Sequence, residues 1–329
     1  MEGSSVLAVV FVASCLAFLL LAWWEGRASA RSRRLREFAV TSGIHLDNEV
    51  VDRVSDSEVR FRRRVLVGTA AGALLSGVVV LVLGDRNVLS SGFPPLVPPI
   101  LGAVVGAWTA IVIEAKRRWT RSGSISDARG PGLAAFVGIP TLVGCGVVFV
   151  ATLGILAYSV FLMVSGIGHA EAFRSPAAPW VGIAGFALLV LTIPGTLAVG
   201  ATISRNRAVQ SSTGELMADD ALLSRHLLLT LGTAALGMLW SFPLALNITS
   251  DLLPHAEHPD LRLTTLWSVA GIQGGLCAVI AALALFRPFQ SYLRTLWPEV
   301  YADGRAAARA MRVAKRAAER RAYHGLPSE

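Results

Sequence analysis

The chain has 329 residues, of which 53% are hydrophobic and 16% charged, and its mean hydropathy is +0.58. So apolar a composition excludes an ordinary water-soluble domain, whose surface needs polar groups, and points to a bilayer. A formal charge of +8 suits either nucleic acid or a membrane surface, and the positions of the charges favour the membrane.

Taken in chain order, seven segments approach the ~20 apolar residues needed to cross the hydrocarbon core. They are 6–24, 65–83, 96–113, 133–164, 180–202, 227–246 and 264–286, and none contains Asp, Glu, Lys, Arg or His. Each run is continuously apolar, whereas barrel strands alternate and are only about 10 residues long, so the expected fold is an all-α, polytopic helix bundle. The fourth run is too long for one upright crossing; it is expected to tilt or to extend past the surface.

Orientation follows from Arg and Lys. All of the 30 basic residues except Arg86, Arg174 and Arg262 lie after the first, third, fifth and seventh runs. The N-terminus is therefore expected outside and the C-terminus in the cytoplasm. Residues 1–24 form a signal-anchor helix, with no basic residue before the apolar run and Arg27, Arg31, Arg33 and Arg34 after it. Residues 25–64 form a basic cytoplasmic loop. Residues 65–286 form a six-helix membrane bundle, and 287–329 a basic cytoplasmic tail. Lys appears only at Lys116 and Lys315, an Arg-for-Lys usage typical of GC-rich bacterial genomes. The expected location is thus the bacterial cytoplasmic membrane.

Inside the runs, Gly102 and Gly106 form a GxxxG pair, with Gly72–Ser76 and Gly271–Gly275 at the same spacing; these are expected to pack helices within the chain. Pro140, Pro194 and Pro243 each remove a backbone hydrogen bond and are expected to kink their helices. The runs hold no charge, which disfavours proton- or ion-coupled transport. Cys15, Cys145 and Cys277 all lie in apolar runs and read as small buried hydrophobes.

The outer loops supply the weak candidates for a metal: His169, His255, His258, Asp251 and Glu257. His-Ala-Glu occurs in both loops, with Trp180 and Trp267 opening the next runs. This suggests three related hairpins, 65–113, 133–202 and 227–286. In the basic loop, Val50, Val51 and Val54 suit one face of a short helix, and 213–225 suits a second short surface helix with Glu215, Asp219 and Asp220 near its start. Arg31–Arg36 and Arg60–Arg64 lie beside the bilayer and suit anionic lipid. In the tail, Arg305, Arg309, Arg312, Arg316 and Arg320 recur at helical steps as a basic stripe that would also face anionic lipid.

The sequence contains no P-loop, GxGxxG, GxSxG or CxxC. No cofactor is implied, and no nucleic acid is expected. The leading expectation is a non-enzymatic accessory, structural or regulatory membrane subunit, with the bilayer and another membrane protein as partners. The rivals are a permease or export subunit for an apolar or lipid-like substrate, and a membrane enzyme with an outer-face His and acidic metal site.

Overall fold

The computed structural model describes residues 2–42, 48–83, 97–122, 131–165, 178–205, 213–252, 275, 291–303 and 306, and among them there is no strand. The helices are α1 (Glu2–Trp24), α2 (Ala28–Ser42), α3 (Asn48–Leu83), α4 (Val97–Ser122), α5 (Leu133–Val137), α6 (Ile139–Val164), α7 (Ala178–Val190), α8 (Thr192–Arg205), α9 (Thr213–Leu252) and α10 (Ser291–Leu296).

Five segments among the described residues are long and apolar enough to cross a membrane: Val50–Leu81, Val97–Thr120, Ile139–Phe161, Ile183–Arg205 and Thr213–Leu239. The pair Val9–Trp24 and Ala28–Ala39, bent by 80°, adds a sixth if it counts as one crossing. These match the first six apolar runs of the sequence; the seventh, 264–286, lies outside the described residues apart from Gly275. Apolar helices of this length mark the chain as a membrane protein.

The bundle is built around α9, 78% of whose most apolar stretch is buried, against 22% for α6. Leu227, Leu231, Ala234 and Met238 of α9 meet Val104 and Ile111 of α4, Val148 of α6 and Ile193 of α8 in the main apolar core. Within a bilayer these side chains gain by van der Waals packing against one another rather than by leaving water.

The closest helix contact is between α3 and α4. A Cβ placed on Gly68 would overlap the carbonyl of Gly102, and one on Gly102 would overlap the carbonyl of Gly68. Gly72 abuts the carbonyl of Pro98, and Gly106 that of Arg64. The GxxxG of α4 therefore meets a matching Gly68–Gly72 pair on α3, backbone against backbone. Pro98 and Pro99 stand in the first turn of α4, where the missing N–H has no helical partner to lose.

Three expectations change. First, the run 133–164 is two helices rather than one tilted crossing. Gly138 sits at φ 86°, a conformation that L side chains rarely adopt, and separates α5 from α6. Second, the expected short helix carrying Val50 and Val54 is the beginning of the continuous α3, because no Gly or Pro interrupts residues 48–67. Third, the expected surface helix at 213–225 runs unbroken into the sixth apolar run as α9. Its Asp219 and Asp220 are buried.

At the Arg-rich end, α2, the first turns of α3 and α9, and α10 enclose a second apolar core. Phe38, Val54, Leu222 and Tyr292 are almost fully buried there. The segments after the first, fifth and seventh apolar runs thus meet on one side of the bundle.

Candidate functional site

Alternating charge along residues 48–64 makes the first half of α3 polar, while every third or fourth position faces a neighbour. The start of α9 is likewise mixed, with Glu215, Asp219, Asp220, Arg225 and His226 within its first four turns. Where these two helices lie side by side, their charges interlock in a buried ionic layer just beyond the apolar runs.

At its centre is Glu58 of α3, which is 1% exposed. Its Oε1 accepts from Nε2 of His226 at 3.2 Å and lies 3.4 Å from Nε of Arg225, while Oε2 lies 3.6 Å from Nε of Arg62. An ionised carboxylate only accepts, so this geometry assigns the proton to His226 Nε2. One face of the His226 ring is held by the ring of Phe61, and the Arg225 guanidinium lies 5.5 Å above the ring of Phe38.

Further pairs extend the layer. Arg53 joins Glu215 and lies 4.0 Å from Asp219, which also meets Arg118 of α4 at 3.5 Å. Arg60 donates to Glu114 of α4 at 3.1 Å. Arg34 bridges Glu25 at 2.7 Å and Glu37 at 2.9 Å, fixing the turn between α1 and α2. Burial raises the Glu37 carboxyl, but hydrogen bonds from Arg34 and Arg33 outweigh it and hold the group below its usual range. Trp297 Nε1 donates to Asp220 at 3.2 Å, and burial, then the Asp220 charge, pushes the Tyr292 hydroxyl well above its ordinary value.

Such an arrangement neutralises carboxylates and fixes helices. Acid–base catalysis needs a group presented to substrate, whereas Glu58 and His226 are 1% and 3% exposed. A more open recess of about 430 Å³ beside the layer is lined by Asp52, Arg53, Asp56, Arg60, Arg117 and Thr120. Its mixed signs select for no one ligand charge.

No family model, curated protein or solved structure matches the chain.

The residues singled out from sequence fall elsewhere. Pro140 stands in the first turn of α6, two residues after the break at Gly138. Pro194 stands in the first turn of α8, three residues after the single turn residue Leu191, through which helical i→i−4 bonds continue from α7. Pro243 lies within the continuous α9, and Asp251 in its last turn. His169, His255, His258, Glu257 and the tail residues Arg305, Arg309, Arg312, Arg316 and Arg320 lie outside the described residues. Among the described residues no group of three or more His, Cys, Asp or Glu is placed to hold a metal.

Sequence reasoning missed Glu58, Arg225 and His226. The available signal was the (i, i+4) pair Glu58–Arg62 and the Arg-His dipeptide just before the sixth apolar run. Reading Arg60–Arg64 as lipid-facing overlooked that Arg60 is held by Glu114 of the chain itself.

Proposed function

We propose that this protein is a non-enzymatic accessory or regulatory subunit of a bacterial cytoplasmic membrane, crossing it seven times with its N-terminus outside. The observation that supports this reading is the use of the buried charges. Glu58, Arg225 and His226 are spent on one another, and Asp219 on Arg53 and Arg118, so the ionisable groups at the bundle's end hold helices together. A bundle linked in this way offers a partner its outer surface. Val9, Leu16 and Leu20 of α1 and Val143, Val150 and Phe161 of α6 are all well exposed there. A neighbouring membrane protein or lipid would cover them.

A permease for an apolar or lipid-like substrate is the second reading. The break at Gly138, in the fourth apolar run, favours it, because broken helices line substrate sites in transporters.

Affinity purification in mild detergent, with mass spectrometry of what co-purifies, tests the first reading. A stoichiometric membrane-protein partner supports it, particularly if Leu16→Arg or Val150→Arg releases that partner. Purification as a lone, monodisperse protein that moves a lipid probe between leaflets in vesicles would replace it with the second.

A further inference from the structure

A cavity of about 220 Å³ opens between the end of α1, α3, α4 and α9. It lies where α3 changes from charged to apolar. Glu25 and Arg62 line one part, and Leu66, Ala103, Ala107 and Leu229 are among the residues lining the other. Pockets that enclose a whole small molecule typically measure about 300–1,000 Å³. A smaller, two-natured cavity at this depth suits an amphiphile that keeps most of its length in the bilayer.

Charge selects the sign of its head. Glu25 is bound by Arg34 at 2.7 Å and has little attraction left to offer a cation. Glu58 is shared between Arg225 and His226 and stands 3.6 Å from Arg62, beyond hydrogen-bond reach. The buried Nε of Arg62 has no hydrogen-bond partner, and its side chain is 24% exposed. A partly exposed guanidinium at the head of an apolar slot, its Nε turned to Glu58 and its side chain lining the cavity, is complementary to a phosphate ester carrying an acyl chain.

We propose that this cavity is a binding site for one anionic phospholipid, with its phosphate on Arg62 and part of one acyl chain against Leu66, Ala103 and Leu229. The site rests on the chain's membrane character and holds for an accessory subunit and a permease alike.

The test uses the full chain in nanodiscs containing equal amounts of phosphatidylglycerol and phosphatidylcholine of matched acyl chains, followed by extraction into mild detergent and native mass spectrometry. The wild type is expected to retain one phosphatidylglycerol in preference to phosphatidylcholine. Arg62→Gln removes a charge-assisted contact and should weaken retention by about tenfold, while Arg62→Lys restores part of it. Thr233→Phe, which fills the cavity wall, should abolish retention, whereas the exposed Arg63→Gln should leave it unchanged. Excess inorganic phosphate should not displace the lipid. Equal retention of both lipids, displacement by phosphate alone, or undiminished retention in folded Arg62→Gln and Thr233→Phe would each overturn the proposal. If those variants fail to fold, a phosphatidylglycerol bearing a diazirine on its acyl chain is cross-linked to the wild type. Adducts on Leu66, Ala103 or Leu229 support the site, and adducts confined to other residues overturn it.

Discussion

The imidazole of His226 lies flat on the ring of Phe61, with centroids 3.9 Å apart and planes within 2° of parallel. Phe61 comes from α3 and His226 from α9, so the stack ties the two helices at the point where their charged halves end. The same imidazole reaches Glu58 one turn earlier on α3, so one side chain is fixed on its face and at its edge. Removing Glu58 leaves Arg225 buried without its carboxylate, a loss that typically costs roughly 3–5 kcal/mol. Glu58→Ala and Arg225→Ala should each lower stability by about that amount in denaturant titrations in detergent. The double variant should lose less than the sum, because either single deletion already removes the Glu58–Arg225 interaction. Additive losses would mean that the pair is not coupled.

The glycine contact between α3 and α4 yields a prediction with an internal control. Gly102→Val drives methyl groups into the carbonyl of Gly68. Neither helix backbone can yield without separating the pair, so a loss of about 1–3 kcal/mol or more is expected, as for overpacked cores. Gly146 of α6 is also a helical glycine, but a Cβ there meets nothing within 4 Å. Gly146→Ala should therefore be neutral, or stabilising by up to about 1 kcal/mol through helix propensity. Thermal melts of both variants in one detergent decide the matter. Equal losses would show that glycine count, rather than position, governs the effect.

Helix identity was legible in the sequence because a membrane crossing writes a long uncharged run, and the first six runs all meet helices in the structure. Gly102–Gly106 was legible for the same local reason, but its partner Gly68 was not, since nothing in a single sequence states which glycine faces which. Helix ends were harder. The lengths of α3 and α9 were hidden by their charged halves, which resemble solvated loops until Asp219 is seen between Arg53 and Arg118. Glu58 and His226 are 168 positions apart, and a charge pattern read within one segment cannot pair them. Gly138 was one glycine among 31, and only its φ of 86° distinguishes it.

That glycine can be tested directly. Gly138 joins α5 to α6 in a backbone conformation that strains any L side chain, at a typical cost of about 1–3 kcal/mol. α5 is anchored by the Ser224 hydroxyl, which donates to the carbonyl of Phe136 at 2.7 Å. Gly138→Ala should therefore lower the melting temperature in detergent. Ser224→Ala should add a loss of about 1 kcal/mol by removing the bond that holds α5 in place. A Gly138→Ala protein as stable as the wild type would imply that α5 and α6 join as one straight helix.

Trp108 of α4 donates from Nε1 to the Thr196 hydroxyl of α8 at 2.9 Å, and its ring fills the space that Gly195 leaves open. The bond and the ring make separable contributions. Trp108→Phe keeps most of the packing and should cost about 0.5–1.5 kcal/mol for the lost bond. Trp108→Ala leaves a cavity and should cost about 3–5 kcal/mol. Similar losses for the two would place the stabilisation in the hydrogen bond instead of the ring.

Orientation is the remaining prediction, and it can be settled without knowing any partner. Nearly all Arg and Lys fall in four segments, and three of these gather around Phe38, Leu222 and Tyr292. Basic segments are retained on the cytoplasmic side, so that end should face the cytoplasm. In a chain whose Cys15, Cys145 and Cys277 are replaced by Ala, Ser211→Cys and Asp260→Cys give one probe for each expected side. A membrane-impermeant maleimide applied to intact cells should label Asp260→Cys at once and Ser211→Cys only after permeabilisation. The reverse pattern would invert the bundle. Labelling of both from outside would mean that 213–252, whose apolar stretch is the most buried of the five described spans, does not cross the membrane.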